Sequence, residues 1–471
     1  MTRTATHDLG NVRTGWWHGR TILLIAFAFS VMADPVSSVA YAIEAALRAL
    51  DGRLHLLMPA MALVVLIVAL VVTSYHQLIA RFPEGGGSAA ATGKAFGEGV
   101  AFIPMGALVV DFVLTIAISV SAGSSAIISY VPSMAPYRLW LALALLTVVA
   151  VLMRFGHLGR AVFALLTIVF VVMAVVVLTS TFGDTAVVAA AEPSLTSSAP
   201  LTVALAFPVA MALATGVEAP SSAIAQLAQL DDAGRRSFGR WALWLTLGIV
   251  GVLTLGLAAA TVHLGIGLPG DDSTLVAELA RAGTSHGVFT AFQGATALLL
   301  LSAASSSFQA GPGLLKALAR SKTPGESKHG VLPSILGTTN VHHVPVVGVA
   351  VFYLASALVV TAASARDQRL VLFYAVAVFV SFLMGLVAMA TFAWRERNTG
   401  WLVLNVVAAI AVAFTLVANA LRPAAVGSLA ATAVVAGALY YAWVRAGKPR
   451  GASHAVAEAE ADSGSEMAED G

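Results

Sequence analysis

Twelve long apolar runs separated by short polar connections occupy this chain, and no water-soluble fold can bury so much continuous apolar surface. The runs lie near 21–50, 56–75, 100–130, 139–153, 161–182, 201–227, 241–264, 288–319, 344–361, 370–394, 401–420 and 424–444. At about 20 residues per crossing, twelve helices take up roughly 240 residues, and the connections leave no length for a large aqueous domain. The composition agrees, with 59% apolar and only 11% charged residues. An all-α membrane protein with 12 transmembrane helices is the predicted class, inserted in the lipid bilayer. The chain has no cysteine, which excludes structural disulfides, thiolate metal sites and cysteine nucleophiles.

Charge placement sets the expected orientation. With both termini cytoplasmic, only Arg48, Arg53, Arg138, Arg281, Arg366, Arg369 and Arg422 of the 26 basic residues fall outside. Residues 1–20 read as a cytoplasmic leader, with Trp16 and Trp17 as an interfacial anchor before the first span and no cleavable signal. Residues 451–471 lack an evident apolar face and read as a disordered acidic tail. A multi-pass protein of the plasma membrane is expected.

Two spans look interrupted in the same way. Span 1 carries Asp34-Pro35-Val36-Ser37-Ser38 about thirteen residues in, where proline removes a backbone donor, so the helix is expected to split there. Span 6 carries Thr215-Gly216-Val217-Glu218-Ala219-Pro220-Ser221-Ser222 at a similar depth. An offset of five spans reverses topology, so residues 21–182 and 200–394 form two inverted five-helix units, with 400–445 adding spans 11 and 12. Paired breaks of this kind mark a secondary transporter whose site lies at the bilayer midplane. The plainer alternative is two proline kinks, with Asp34 as N-cap to Pro35.

Side chains at the breaks point to a positive solute. Asp34, Glu218 and Asp111 of span 3 place three acids among apolar helices, each costing roughly 2.5–3.5 kcal/mol at the bilayer centre unless a cation or proton is shared. An amino-acid carboxylate would be repelled by Asp34 and find two serines, Ser37 and Ser38, beside it. Tyr41 lies nearly two turns beyond Asp34, and Thr115 and Ser119 follow Asp111 at i+4 and i+8, supplying hydroxyls on shared faces. Thr115 and Ser119 fit close helix packing equally well, and Tyr41 could be an interfacial anchor. The serines Ser302, Ser305, Ser306 and Ser307 of span 8 offer a weaker sodium-type alternative. Adjacent His342 and His343 point apart and have no third ligand, so no metal is expected beyond a transported alkali cation. Gly85, Gly86 and Gly87 form a cytoplasmic turn and no nucleotide loop, since no strand precedes them. No catalytic constellation, cofactor motif or nucleic-acid partner is evident, and the chain is not expected to be an enzyme.

The stretch Asp34 to Ala42, with Asp111, Ser119-Val120-Ser121-Ala122-Gly123, Thr215-Gly216-Val217-Glu218-Ala219 and Tyr374-Ala375-Val376, resembles the amino acid-polyamine-organocation permease superfamily. Within it the likeness is to the KimA-type potassium importers. That resemblance implies a LeuT-type fold of five plus five inverted helices with two extra, and potassium import with protons. It implies ion coordination at Asp34, Tyr41, Asp111, Thr115, Ser119, Thr215, Glu218 and Tyr374, with Glu218 or Asp111 carrying the coupling proton. Spans 1, 2, 6 and 7 would then rock against spans 3, 4, 8 and 9. Phe112 departs from those importers, which have a tyrosine there. This chain also stops soon after span 12, whereas they continue into a cytosolic domain, so dimerisation by that route is not expected. An amino acid or amine permease is the alternative, and a non-transporting sensor the remote one.

Overall fold

The computed structural model describes residues 21–155, 159–184, 199–320 and 330–469; the predicted leader 1–20 lies outside them. Among these residues every regular element is helical. Eleven helices are long and apolar enough to cross a membrane. They are spans 1 (Thr21–Ala49), 2 (Leu54–Arg81), 3 (Phe102–Tyr130), 4 (Pro132–Met153), 5 (Arg160–Gly183), 6 (Ala199–Gln226), 7 (Asp232–Leu264), 8 (His286–Ala319), 10 (Asp367–Arg395), 11 (Thr399–Ala420) and 12 (Ala425–Arg445). The shorter apolar helix Val346–Ala362 is span 9.

Burial sorts these helices into a centre and a rim. In spans 3 and 6, 72% of the most apolar stretch is buried, against 22% in spans 4, 11 and 12, so the former build the core and the latter meet lipid. Rim side chains such as Trp140, Leu354 and Val434 are exposed and apolar, as a hydrocarbon solvent requires. Close approach of helices comes from small residues. A Cβ on Gly106 of span 3 would lie 2.6 Å from the backbone of Ala436 in span 12. Gly106→Ala therefore pushes these spans apart, and we expect a lower thermal midpoint in detergent, whereas Gly248→Ala in span 7, with nothing within 4 Å, leaves it level or slightly higher.

The two interruptions differ in kind. Span 6 opens: the helix Ala199–Ala210 tightens into a 3-10 turn at Met211–Ala214, Thr215 is extended (φ −63°, ψ 139°), and helix resumes at Ala219–Ala223. Span 1 only bends, which corrects the expected split at Asp34 to Ser38. The irregularity is Met32 (φ −82°, ψ 0°), whose N–H still donates to the Ala28 carbonyl and whose carbonyl accepts from Val36. Asp34 to Ser38 are helical, and Asp34 makes no cap. Pro35 falls in the first turn of the segment Ala33–Ala49, where a missing donor costs little.

Two further expectations change. The glycines after span 2 do more than turn the chain: Gly85, Gly86 and Gly87 all have positive φ and lead into a buried helix, Gly87–Phe96. The segment read as a disordered acidic tail forms a helix, Ala455–Glu469, packed against the bundle. Ala452, Ala455, Val456 and Ala459 recur at helical spacing and are buried. This stripe is mostly alanine, too weakly apolar to stand out among the acids around it.

Candidate functional site

The bend of span 1 and the gap of span 6 meet. Gly216 adopts φ +71°, and a Cβ there would lie 2.6 Å from Asp34 Oδ2 and 2.9 Å from Pro35 Cδ. The bare glycine thus lets the opened backbone lie against the Asp34 carboxylate. Glu218 follows at the start of the resumed helix. On span 3, Asp111 is buried opposite them.

These three acids line one cavity of about 130 Å³, together with Ser88, Gly216, Ser221, Ser307, Gln309 and other groups. Asp34, Asp111 and Glu218 each keep one carboxylate oxygen without a protein hydrogen-bond partner. Ser221 Oγ and Gln309 Nε2 are likewise unpartnered. Among the described residues, no lysine, arginine or histidine contributes to the wall. The cavity therefore has a negative and oxygen-rich character, which attracts a cation or proton and disfavours an anion.

Ser37, Ser38, Tyr41, Thr115, Ser119 and Thr215 are buried but do not line this cavity. Ser37 and Ser38 donate to the Asp34 carbonyl at 2.7 and 3.4 Å, and Ser38 also bonds the Tyr41 hydroxyl at 2.8 Å. Thr215 donates to the Ala212 carbonyl, completing the 3-10 turn. Thr115 and Ser119 are buried on span 3, with Ser119 Oγ unpartnered. Tyr374 lies in span 10, and its side chain is outside the described residues. Of the span 8 serines, Ser306 and Ser307 reach the cavity, whereas Ser302 is bonded to Leu299.

The two ends of the path are unequal. Toward the end of span 1 at Ala49, a polar cluster closes the bundle: Ser125 donates to Asp367, Arg138 to Ser125, and Arg48 and the Leu275 N–H to Glu44. Toward the opposite face, the cavity runs to Gln226 and ends on Val456, Glu460 and Ser463 of the last helix. Glu460 is the residue that sequence reasoning missed. It accepts from Gln226 Nε2 at 2.7 Å, and burial pushes its carboxyl above its ordinary value, with the Gln226 bond partly opposing. Gly86, Gly87 and Ser88 were missed as wall residues too. Their signal was the run of three glycines, which lets the chain pass within contact of Ser221 and Ser222.

Comparison with known proteins gives a consistent picture. The model of the family described as amino acid permease matches residues 21–444. The potassium transporter KimA of Bacillus subtilis (strain 168) is 29% identical over 388 residues, which cover 79% of this chain and 61% of that protein. This chain thus spans about three fifths of that relative's length. Two crystal structures of variants of the Eremococcus coleocola manganese transporter superpose with TM-score 0.51 at 13% and 14% identity, covering 94% of this chain and 97% of theirs. At such identity the likeness is one of fold.

Proposed function

Because the chain belongs to the amino acid permease family, a family of membrane transporters and not enzymes, we propose that it is a proton-coupled importer of a monovalent cation, with potassium as its substrate. The single observation that supports this most is the wall of the cavity: carboxyls from spans 1, 3 and 6 and, among the described residues, no basic side chain. A zwitterionic amino acid would bring a carboxylate into that space beside three acids and, among the described residues, no cationic side chain to pair it. The size fits as well. About 130 Å³ is below the roughly 300–1,000 Å³ of pockets for larger organic ligands, yet holds a cation and several waters.

Among the described residues no three His, Asp or Glu side chains converge as a metal chelate. Acids spread along the wall act as successive stations, which suits a weakly held monovalent ion better than a tightly chelated divalent one. Three carboxyls around so small a space do not all stay charged without a cation and a shared proton, and inward opening only when both are bound supplies coupling. Glu218 or Asp111 carries that proton. The face bearing Arg81, Arg235, Arg236 and Arg395 is cytoplasmic by the positive-inside rule, and the protein sits in the plasma membrane. The path is then closed outside by the Glu44, Asp367 and Arg138 cluster, and the cavity lies on the inner side of the site.

A flux screen in proteoliposomes tests the reading. Potassium and rubidium should accumulate, faster with an inward proton gradient, while pooled amino acids and amines do not. Uptake of an amino acid or amine unaffected by potassium would replace the proposal with the permease alternative. Binding without flux of any solute would leave a sensor.

A further inference from the structure

The last helix, outside the transmembrane spans, contributes to the floor of the cavity. Val456, Glu460 and Ser463 complete the lining that begins at Asp34, Asp111 and Glu218. The helix packs against the inner half of span 8 and against Ile224–Gln226, the turn that ends span 6 after its gap. A seat of this kind is tied to the moving parts of the transporter as well as to its fixed ones.

Three polar attachments hold the helix there. At its start, Glu98 accepts from the backbone N–H of Gly451 and Ser453 and from the Ser453 hydroxyl, at 2.8 to 3.1 Å. In its middle, Gln226 donates to Glu460. Farther along, Asp462 pairs with Arg320 at 2.6 Å and with the buried Lys316 at 3.4 Å. The three attachments reach different parts of the bundle: the turn before span 3, the end of span 6 and the end of span 8. The underside of the seat is made of small contacts, Ala457 over Gly86 and Ala459 over Gly313. Small, polar and partly exposed contacts separate at lower cost than interdigitated large apolar ones.

From this placement we infer that the helix Ala455–Glu469 is the inner door of the transport path, and that Glu460 is a fourth carboxyl of the cavity, met by the cation as the door opens. The door holds for any solute the chain moves; the role of Glu460 rests on the cation reading above. With the helix seated, Val456, Glu460 and Ser463 narrow the cavity at its inner end. Lifting it removes Val456 and Ser463 from the wall, breaks the Gln226 to Glu460 bond, and joins the cavity to the cytoplasm.

The absence of native cysteines makes the door testable by cross-linking in the full chain. A Cβ on Gly313 lies 3.7 Å from that of Ala459, within the roughly 3.5–4.5 Å a disulfide spans. Oxidised G313C/A459C should transport at least about tenfold more slowly than the same protein reduced with dithiothreitol, because the open population is removed. Equal rates in the two forms would overturn the door. A second measurement needs no substrate. Ala310→Cys, in the cavity wall, is labelled by a membrane-impermeant maleimide added to inverted vesicles, whose cytoplasmic face is turned to the medium. Labelling should quicken at least about tenfold when Glu98→Ala releases the helix start, and again when the chain ends after Arg450. Unchanged labelling in both would overturn the door even if potassium flux is confirmed. Glu460→Gln, which keeps a partner for Gln226, should slow potassium flux severalfold with labelling unchanged; full flux would remove Glu460 from the path.

Discussion

Asp34→Asn is expected to abolish the proposed cation uptake while the protein still folds and inserts. The Asp34 carboxylate lies against Gly216 and keeps Oδ1 free of protein partners on the cavity wall, so its charge is directed at whatever occupies that space. Asparagine preserves the shape and removes the charge. At an effective dielectric near 20, a unit charge about 4 Å away contributes roughly 4 kcal/mol, so even after losses to hydration about 3 kcal/mol, or a hundredfold in affinity, is at stake. Initial rates of rubidium uptake against concentration should show this as a large rise in KM or a loss of detectable transport. Wild-type uptake by well-expressed Asp34→Asn would sink the cation reading. The neighbouring Ser37→Ala serves as a comparison. Its hydroxyl is spent on the Asp34 carbonyl inside the helix, so its loss should alter rates by no more than about threefold.

What could be read from the residues, and what could not, follows from how strong each signal is. Long apolar runs are unmistakable because a bilayer demands them, and the spans fell where the runs lie. Span 6 was legible because glycine, an acid and proline occur together, and that backbone does open at Thr215 and Gly216. Span 1 misled. Proline was taken as the break, yet a proline in the first turn of a helix is tolerated, and the bend sits at Met32, which carries no local mark.

The acids were legible singly, because charge inside a bilayer is costly, and all three reach one cavity. Which hydroxyls reach it was not. Ser37, Ser38 and Thr215 look like ligands by type, but local geometry turns them back onto their own helices, a choice that depends on rotamers and not on spacing. Glu460 was hidden for another reason. An acid in a polar terminal segment looks solvated, and only the alanine stripe around it brings it beneath the bundle.

Gly216→Ala should be severely damaging, although it adds one methyl group. Two costs coincide. The residue sits at φ +71°, where a Cβ costs roughly 1–2 kcal/mol, and the Cβ would arrive 2.6 Å from Asp34 Oδ2 and 2.9 Å from Pro35 Cδ, where relief requires moving the proline ring and the bend behind it. The expected outcome is loss of transport together with a drop of several degrees in thermal midpoint. Gly52→Ala separates the two costs. Gly52 also has positive φ, at +79°, but its Cβ would meet only the Leu268 side chain at an ordinary 3.7 Å. It should share the fall in stability and keep transport. If Gly216→Ala transports as Gly52→Ala does, then contact between the opened span 6 and Asp34 is not what shapes the site. If it loses transport at a Gly52→Ala level of stability, the damage lies in the geometry of the carboxylate and not in the fold as a whole.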